Sequence, residues 1–274
     1  MKSKLFKFLT ILLIIFLSQC STKKIELTKT KPKISLEKLY TEAYKNFEDG
    51  KFQNAVDLFL MVETEYGYTE WAAKSLLFRS FIYYDLGRYV ESLENLKKYK
   101  KLYSADKNII YADYLTSICV YEQIGIKSKD QKNTLLAKKL FTDFIKKYPN
   151  TDYSYDLKLK LDLINDQLAG NEMYIARYYQ ERKKWLAALK RLSNILENYQ
   201  STIYIEEALH RMVEIHYKIG NIESAKKFAS ILGYNFNESD WYKKSYTIIS
   251  SKNFNIIDIK RKKRLREKLK ALIN

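Results

Sequence analysis

The sequence predicts an all-α protein, a solenoid of about five helical hairpins followed by a basic C-terminal helical tail. Three observations carry that expectation. Only 7 glycines and 2 prolines occur in 274 residues, too few turn formers for a many-stranded β fold. From Leu36 onward, apolar residues recur at three- and four-residue steps, the period of an amphipathic helix. A short motif also returns along the chain: a turn glycine, an aromatic or apolar residue two places on, and a small residue three further.

The first 19 residues read as an export signal. Lys2, Lys4 and Lys7 form a basic flank, residues 9–17 are apolar apart from Thr10, and polar sequence follows Cys20 at once. The apolar run is shorter than the ~20 residues that span a bilayer as a helix. Leu17-Ser18-Gln19-Cys20 resembles a bacterial lipobox, with Gln19 where Gly, Ala or Ser is usual. An ordinary signal peptide or an uncleaved anchor helix are the alternatives. The resemblance implies that Cys20 receives a diacylglycerol and becomes the mature N-terminus. By the same analogy Ser21, where an Asp commonly retains a lipoprotein in the inner membrane, permits transfer to the outer membrane. Each buried methylene contributes about 0.8 kcal/mol, so two or three acyl chains hold a protein on a membrane almost permanently. Residues 20–35 are then the lipidated N-terminus and a polar tether, with a reach of up to ~50 Å.

The first hairpin opens at Leu36. Leu36, Leu39, Tyr40, Ala43 and Phe47 form one stripe, with Ser35 as candidate N-cap and Glu37 in the first turn. Asp49-Gly50 breaks the pattern, and Phe52, Ala55, Phe59 and Val62 form a second stripe. Asp49-Gly50-Lys51-Phe52-Gln53-Asn54-Ala55 aligns with Leu86-Gly87-Arg88-Tyr89-Val90-Glu91-Ser92, 37 residues on, and again with Ile219-Gly220-Asn221-Ile222-Glu223-Ser224-Ala225. A fourth copy, Arg182-Lys183-Lys184-Trp185-Leu186-Ala187-Ala188, has lost the glycine. A further second helix is expected over residues 137–149, preceded by a polar loop over 125–133. The boundaries follow: repeats 1–3 over residues 36–150, repeats 4–5 over 151–240, and a basic tail over 241–274. The tail, with basic residues from Lys260 to Lys270 and a partial apolar stripe, reads first as a solvated end, then as a partner-binding helix or a lipid-binding helix.

Composition excludes several classes. Removal of residues 1–19 from 274 leaves 255, enough for a large core. Cys20 and Cys119 are the two cysteines, so with Cys20 acylated no disulfide or zinc framework is possible. Cys119 lies in an apolar stretch and reads as a buried small hydrophobe. The net charge of +17 is mostly lysine, and an exported chain rarely meets nucleic acid, so no nucleic-acid partner is expected. His210 and His216 stand six apart, off the i, i+4 spacing of a metal pair on a helix. No phosphate-binding glycine loop occurs. No catalytic residues, metal site or cofactor are expected, and the chain does not read as an enzyme.

The recurring Gly, aromatic and small residues resemble the tetratricopeptide repeat, whose stacked hairpins form a groove that binds other polypeptides. A narrower resemblance lies in residues 175–200. Tyr178, Tyr179, Arg182, Trp185, Ala187, Ala188, Arg191 and Tyr199 stand in the order of the fourth repeat of the BamD (YfiO) family, with Gln200 where Pro is usual. Ala43, Gly50, Ala55, Phe59 and Glu65-Tyr66-Gly67 in the first repeat are similar, as are Phe141, Phe144 and Tyr148-Pro149-Asn150-Thr151. That resemblance implies a lipid-anchored scaffold on the periplasmic face of the outer membrane. Its partners would be the POTRA domains of BamA, other lipoproteins of the assembly complex and unfolded β-barrel proteins. Arg191 aligns with an Arg that pairs with an acidic POTRA side chain, with Tyr178, Tyr179 and Arg182 beside it in the signature. Tyr66, Tyr68 and Trp71 align with a pocket for the aromatic C-terminus of a substrate, although Gly67 replaces a Pro and Thr69-Glu70 departs from the family loop. An adaptor for peptidoglycan enzymes or the Tol system is the rival expectation.

Overall fold

The computed structural model describes residues 34–125 and 131–250. The export signal, Cys20, nearly all of the tether and the basic segment 251–274 lie outside the described residues. Within them the chain forms eleven helices and no strand. In order these are α1 (Leu36–Glu48), α2 (Phe52–Glu65), α3 (Glu70–Asp85), α4 (Tyr89–Leu102), α5 (Ile109–Tyr121), α6 (Lys132–Lys147), α7 (Asp152–Glu181), α8 (Trp185–Asn198), α9 (Ile205–Lys218), α10 (Ile222–Asn235) and α11 (Asp240–Ser250). Consecutive helices pack as antiparallel pairs, giving five hairpins, α1–α2 to α9–α10. The fold is therefore an all-α solenoid of tetratricopeptide type. No described helix is long and apolar enough to cross a membrane.

The small residue of the motif explains the pairing. Ala55, Ser92, Ala137, Ala188 and Ala225 are all completely buried, one in each second helix. Four residues on stand Phe59, Leu96, Phe141, Leu192 and Ala229, also buried. A side chain of one carbon, or one carbon and a hydroxyl, lets two helix backbones close up. In the first four hairpins the larger residue a turn later fills the space beneath them. Ser92 spends its hydroxyl on the Ser80 carbonyl at 2.7 Å, so no polar atom is stranded there. Cys119 sits beside it, its Sγ 3.3 Å from Ser92 Oγ, and burial pushes the thiol's pKa up. It is a free, buried thiol packed as a small hydrophobe.

Four of the five intra-hairpin turns share one geometry. Gly50, Gly87 and Gly220 have φ of +72°, +70° and +77°, and Lys183, at the equivalent place, has φ +56°. In each, the left-handed residue and the next donate back into the helix. Gly50 N bonds Phe47 O at 3.0 Å and Lys51 N bonds Asn46 O at 2.8 Å. Lys183 N bonds Gln180 O at 3.0 Å and Lys184 N bonds Tyr179 O at 2.9 Å. This paired closure satisfies the last carbonyls and demands positive φ at its pivot. The missing glycine of the fourth repeat therefore changes the side chain and leaves the turn unchanged.

Each second helix also ends on an aromatic C-cap of one conformation. Tyr66, Tyr103, Tyr148, Tyr199 and Phe236 have φ between −125° and −142°. Their spacings of 37, 45, 51 and 37 residues show where the array stretches. The 45 holds the connection between α5 and α6. The 51 holds α7, whose 30 residues make a rod about 45 Å long.

Three details differ from expectation. Ser35 stands at the N-cap of α1 but its side chain makes no capping bond; the cap oxygens that do work are on Thr69, Thr151 and Asn221. α6 begins at Lys132, inside the expected loop. Residues 241–250, expected in the basic helical tail beyond the repeats, belong to α11, which packs on α9 and α10 as part of the array. There His210, buried on α9, lies 2.8 Å from Ser245 Oγ of α11, and its ring packs on Trp241 with centroids 5.1 Å apart.

Two predictions follow from these turns and histidines. Gly87→Ala meets no atom within 4 Å, so it should lose about 1 kcal/mol from backbone strain alone, whereas Lys183→Gly should gain about 0.5 kcal/mol. Urea melts of the two variants measure both. Burial lowers the pKa of His210 and of His216, which stacks on Phe228 at 5.4 Å. Protonation is then unfavourable in the fold, so their stability contribution is full above the ordinary value of 6.5 and is lost as pH falls through the depressed folded-state values. A melting curve against pH should decline below about 6.5, and His210→Gln with His216→Gln should flatten that first decline.

Candidate functional site

Two places gather the residues of interest. The first is a cleft of ≈ 310 Å³ between the start of α3 and the loop after α4. Tyr68, Thr69, Glu70 and Ala73 form one wall; the other is formed by Leu102, Tyr103, Ser104, Ala105 and Asp106. Both walls are held by short polar bonds. Thr69 Oγ1 donates to the Tyr66 carbonyl at 2.7 Å and accepts from Ala72 N at 3.2 Å. Asp106 Oδ1 accepts from the Tyr99 hydroxyl and from Asn108 N, both at 2.7 Å. Burial and that carboxylate push the Tyr99 pKa up, so its hydroxyl stays a donor.

Tyr68 is the unusual residue of the cleft. It has φ +62° and is 85% exposed. A bulky side chain in the left-handed region is strained, and here no burial offsets the strain. Tyr103 faces it across the cleft. Burial raises the Tyr103 pKa, and a hydrogen bond from the Tyr68 backbone works against that rise.

Of the three aromatic residues read as one pocket, the structure puts only Tyr68 in the cleft. Tyr66 donates its hydroxyl to the Ile34 carbonyl at 2.7 Å. Trp71 packs edge-on against Tyr40 of α1, centroids 4.7 Å apart, with Lys74 Nζ 5.0 Å above its ring. Tyr66 thus ties the end of α2 to the segment before α1, and Trp71 joins the third helix to the first. The second wall was not foreseen. Its sequence cue is the recurrence of Tyr66 as Tyr103, the aromatic that ends each second helix.

Close by, a charged group is buried between α2, α3 and α4. Glu63 accepts from Arg79 Nη1 at 2.7 Å and from Lys98, its own side chain nearly inaccessible. The ion pairs tie the first two hairpins together.

The second place is the end of α7 with α8. Arg182 lays its guanidinium over the Tyr178 ring, 3.7 Å from the centroid, and Tyr178 meets Tyr179 edge-on at 5.5 Å. Tyr179 is half-buried against the main core, while Tyr178 is exposed. Arg191 is elsewhere on the hairpin. Its Nη1 lies 3.2 Å from both carboxylate oxygens of Glu172, so α8 is tied to α7 by this pair. Its side chain remains 40% exposed. The four residues therefore form a stacked Tyr–Tyr–Arg group and a separate ion pair.

Farther along, Arg177 of α7 grips Glu207 of α9 through Nε at 2.8 Å and through Nη2, and Arg211 adds bonds to Glu207 and Glu214. These cations hold the Glu207 carboxyl below the usual range against the opposing effect of burial. Among the described residues no group of three His, Cys, Asp or Glu side chains is placed to hold a metal ion.

The stacked hairpins define an all-α repeat protein of tetratricopeptide type. Residues 32–231 match the family model described as outer membrane lipoprotein, YfiO. The chain is 36% identical over 231 residues to the outer membrane protein assembly factor BamD of Caulobacter vibrioides, covering 84% of this chain and 76% of that protein. It is 35% identical over 250 residues to the factor of the same name from Rickettsia prowazekii, covering 90% and 98%. The chain belongs to the YfiO (BamD) family. Among solved structures, a thermophilic TPR protein from Thermus thermophilus is 14% identical, covers 78% of this chain and 99% of its own, and gives a TM-score of 0.36.

Replacing Arg79 by Met should cost about 3–5 kcal/mol, because Glu63 keeps its burial and loses the one of its two cations that is itself buried. Chemical denaturation of the variant measures the loss; a change under 1 kcal/mol would mean that Lys98 alone satisfies the carboxylate.

Proposed function

We propose that this chain is a non-enzymatic scaffold of the outer-membrane protein assembly complex. Membership of the YfiO family over residues 32–231, with relatives named outer membrane protein assembly factors, is the observation that carries the reading. In it, the chain is anchored through Cys20 to the periplasmic face of the outer membrane. Its C-terminal repeats hold the POTRA domains of BamA, and its N-terminal repeats receive unfolded β-barrel proteins.

The geometry supports a division of labour. The cleft beside Tyr68 has aromatic residues on both walls and no fixed charge but Glu70 and Asp106, which suits an apolar or aromatic chain end. Arg191 offers a planar guanidinium half in solvent. A partner carboxylate there competes with Glu172, so binding exchanges one ion pair for another. Net affinity from that pair is small, and its role is to set register and exclude wrong partners.

Pull-down of the tagged protein from detergent-extracted outer membranes tests this reading. BamA should be the main partner of the wild type and should be lost with Arg191→Glu, which also faces Glu172 with a like charge. Glu172→Gln, which frees the guanidinium, should retain or increase BamA. BamA recovered equally with Arg191→Glu would remove Arg191 from the interface. Recovery of peptidoglycan enzymes or Tol proteins without BamA would replace the whole reading with that of an adaptor. Cys20→Ser should abolish incorporation of labelled palmitate into the protein.

A further inference from the structure

The two helices of each hairpin differ in charge. The first helices touch one another along the array: Phe47 meets Phe78, Tyr114 bonds Asp156, Arg177 bonds Glu207, and His210 meets Ser245. They make one layer and the second helices make the other. In the second helices α4, α6, α8 and α10 there are thirteen Lys or Arg against five Asp or Glu, a net +8. In the first helices α1, α3, α5, α7 and α9 there are nine against fifteen, a net −6. Only α2 breaks the rule, with three acids and no base. A general lysine bias in the chain would load both layers alike, so bias does not explain the sorting.

The kind of cation is informative. Twelve of the thirteen are lysine; Arg191 is the exception. Lys97, Lys101, Lys139, Lys146, Lys190 and Lys227 are exposed and make no ion pair among the described residues. Protein interfaces enrich Arg and aromatic residues at their centres and deplete Lys. A hydrated, flexible ammonium instead suits a surface whose charges are diffuse and can rearrange, and polybasic clusters are attracted to anionic bilayers in this way. Lysines spread over four second helices in a row match an extended array of phosphates better than a shaped pocket.

We propose that the second-helix layer from α4 to α10 lies against an anionic phospholipid surface, turning the acidic first-helix layer away from it. The inference goes beyond the scaffold reading and uses its lipid anchor only to say how that surface is kept near. A tether supplies a high local concentration, so weak charge attraction is enough to orient the solenoid.

The test is flotation with vesicles of phosphatidylcholine alone or mixed with phosphatidylglycerol. It uses the mature chain from residue 20, with Cys20→Ser so that acyl chains play no part. Two charge-reversed variants are compared with it. One carries Lys97→Glu, Lys101→Glu, Lys139→Glu and Lys146→Glu; the other carries Lys38→Glu, Lys45→Glu, Lys158→Glu and Lys243→Glu on α1, α7 and α11. The parent should float with the anionic vesicles only. Its binding should fade as salt rises from about 0.1 M to about 1 M, where the Debye length falls from ~10 Å to ~3 Å. The second-helix variant should lose at least about tenfold in partition and the other less than about twofold. The Lys→Gln version of the first set should fall between, with unchanged circular dichroism showing that it is folded. Equal losses in both variants would overturn the proposal, as would equal binding to neutral vesicles. So would unchanged binding of the second-helix variant, which would put the attraction in residues 251–274. Failure to bind vesicles, together with loss of an acidic protein from pull-downs of the second-helix variant, would overturn it in favour of a protein partner. BamA recovery reports separately on the scaffold reading.

Discussion

The whole array depends on how closely the two helices of a hairpin can approach. At Ala55, Ser92, Ala137, Ala188 and Ala225 there is no room for more than a methyl or hydroxymethyl group. That single point fixes the interhelical distance, and the distance fixes which side chains reach the next hairpin. Phe59, Leu96, Phe141 and Leu192 then fill the space left beneath. The core is consequently a chain of overlapping clusters. The largest runs from Ile118 to Ile215, and the others cover the first two hairpins and the final pair. Each hairpin is stabilised by its own helix pair and by its immediate neighbours, as expected for a quasi-one-dimensional fold.

Most of this was readable because repetition multiplies weak local signals. One glycine before an aromatic means little, but the same pattern of residue types around Gly50, Gly87 and Gly220 reports the backbone conformation of all three. The fourth copy shows where reading by residue type runs out. Lys183 adopts the left-handed conformation because its hairpin is held by packing on both sides, and no local preference predicts it. Ser35 failed in the opposite sense: a good capping residue at the right place, with its side chain not used. The docking of the helix from Asp240 to Ser250 onto the array rests on a buried serine, Ser245, matched to a histidine on another helix. No periodicity of apolar residues announces such a contact.

The candidate sites were legible only in part. Tyr178, Tyr179 and Arg182 lie within one helical turn, and sequence spacing alone brings them together. Arg191 and Glu172 are 19 residues apart on two helices, so their pairing needs the hairpin geometry. The cleft shows the same limit. One wall comes from the loop after α2 and the other from the loop after α4, and only the stacking of hairpins sets Tyr68 opposite Tyr103. Aromatic residues adjacent in sequence, Tyr66 and Trp71, are claimed by structural contacts instead.

The length of α7 has a mechanical consequence. Elsewhere the array has a joint roughly every fourteen residues, where a turn could let one hairpin pivot on the next. Between Asp152 and Glu181 there is none. A helix of this length carries force along its axis with little compliance. Its start packs against α6 and its end bears the Tyr178–Arg182 stack. A displacement at one end of the third hairpin is therefore delivered to the fourth as the tilt of a lever. Along those thirty residues no turn interrupts the path.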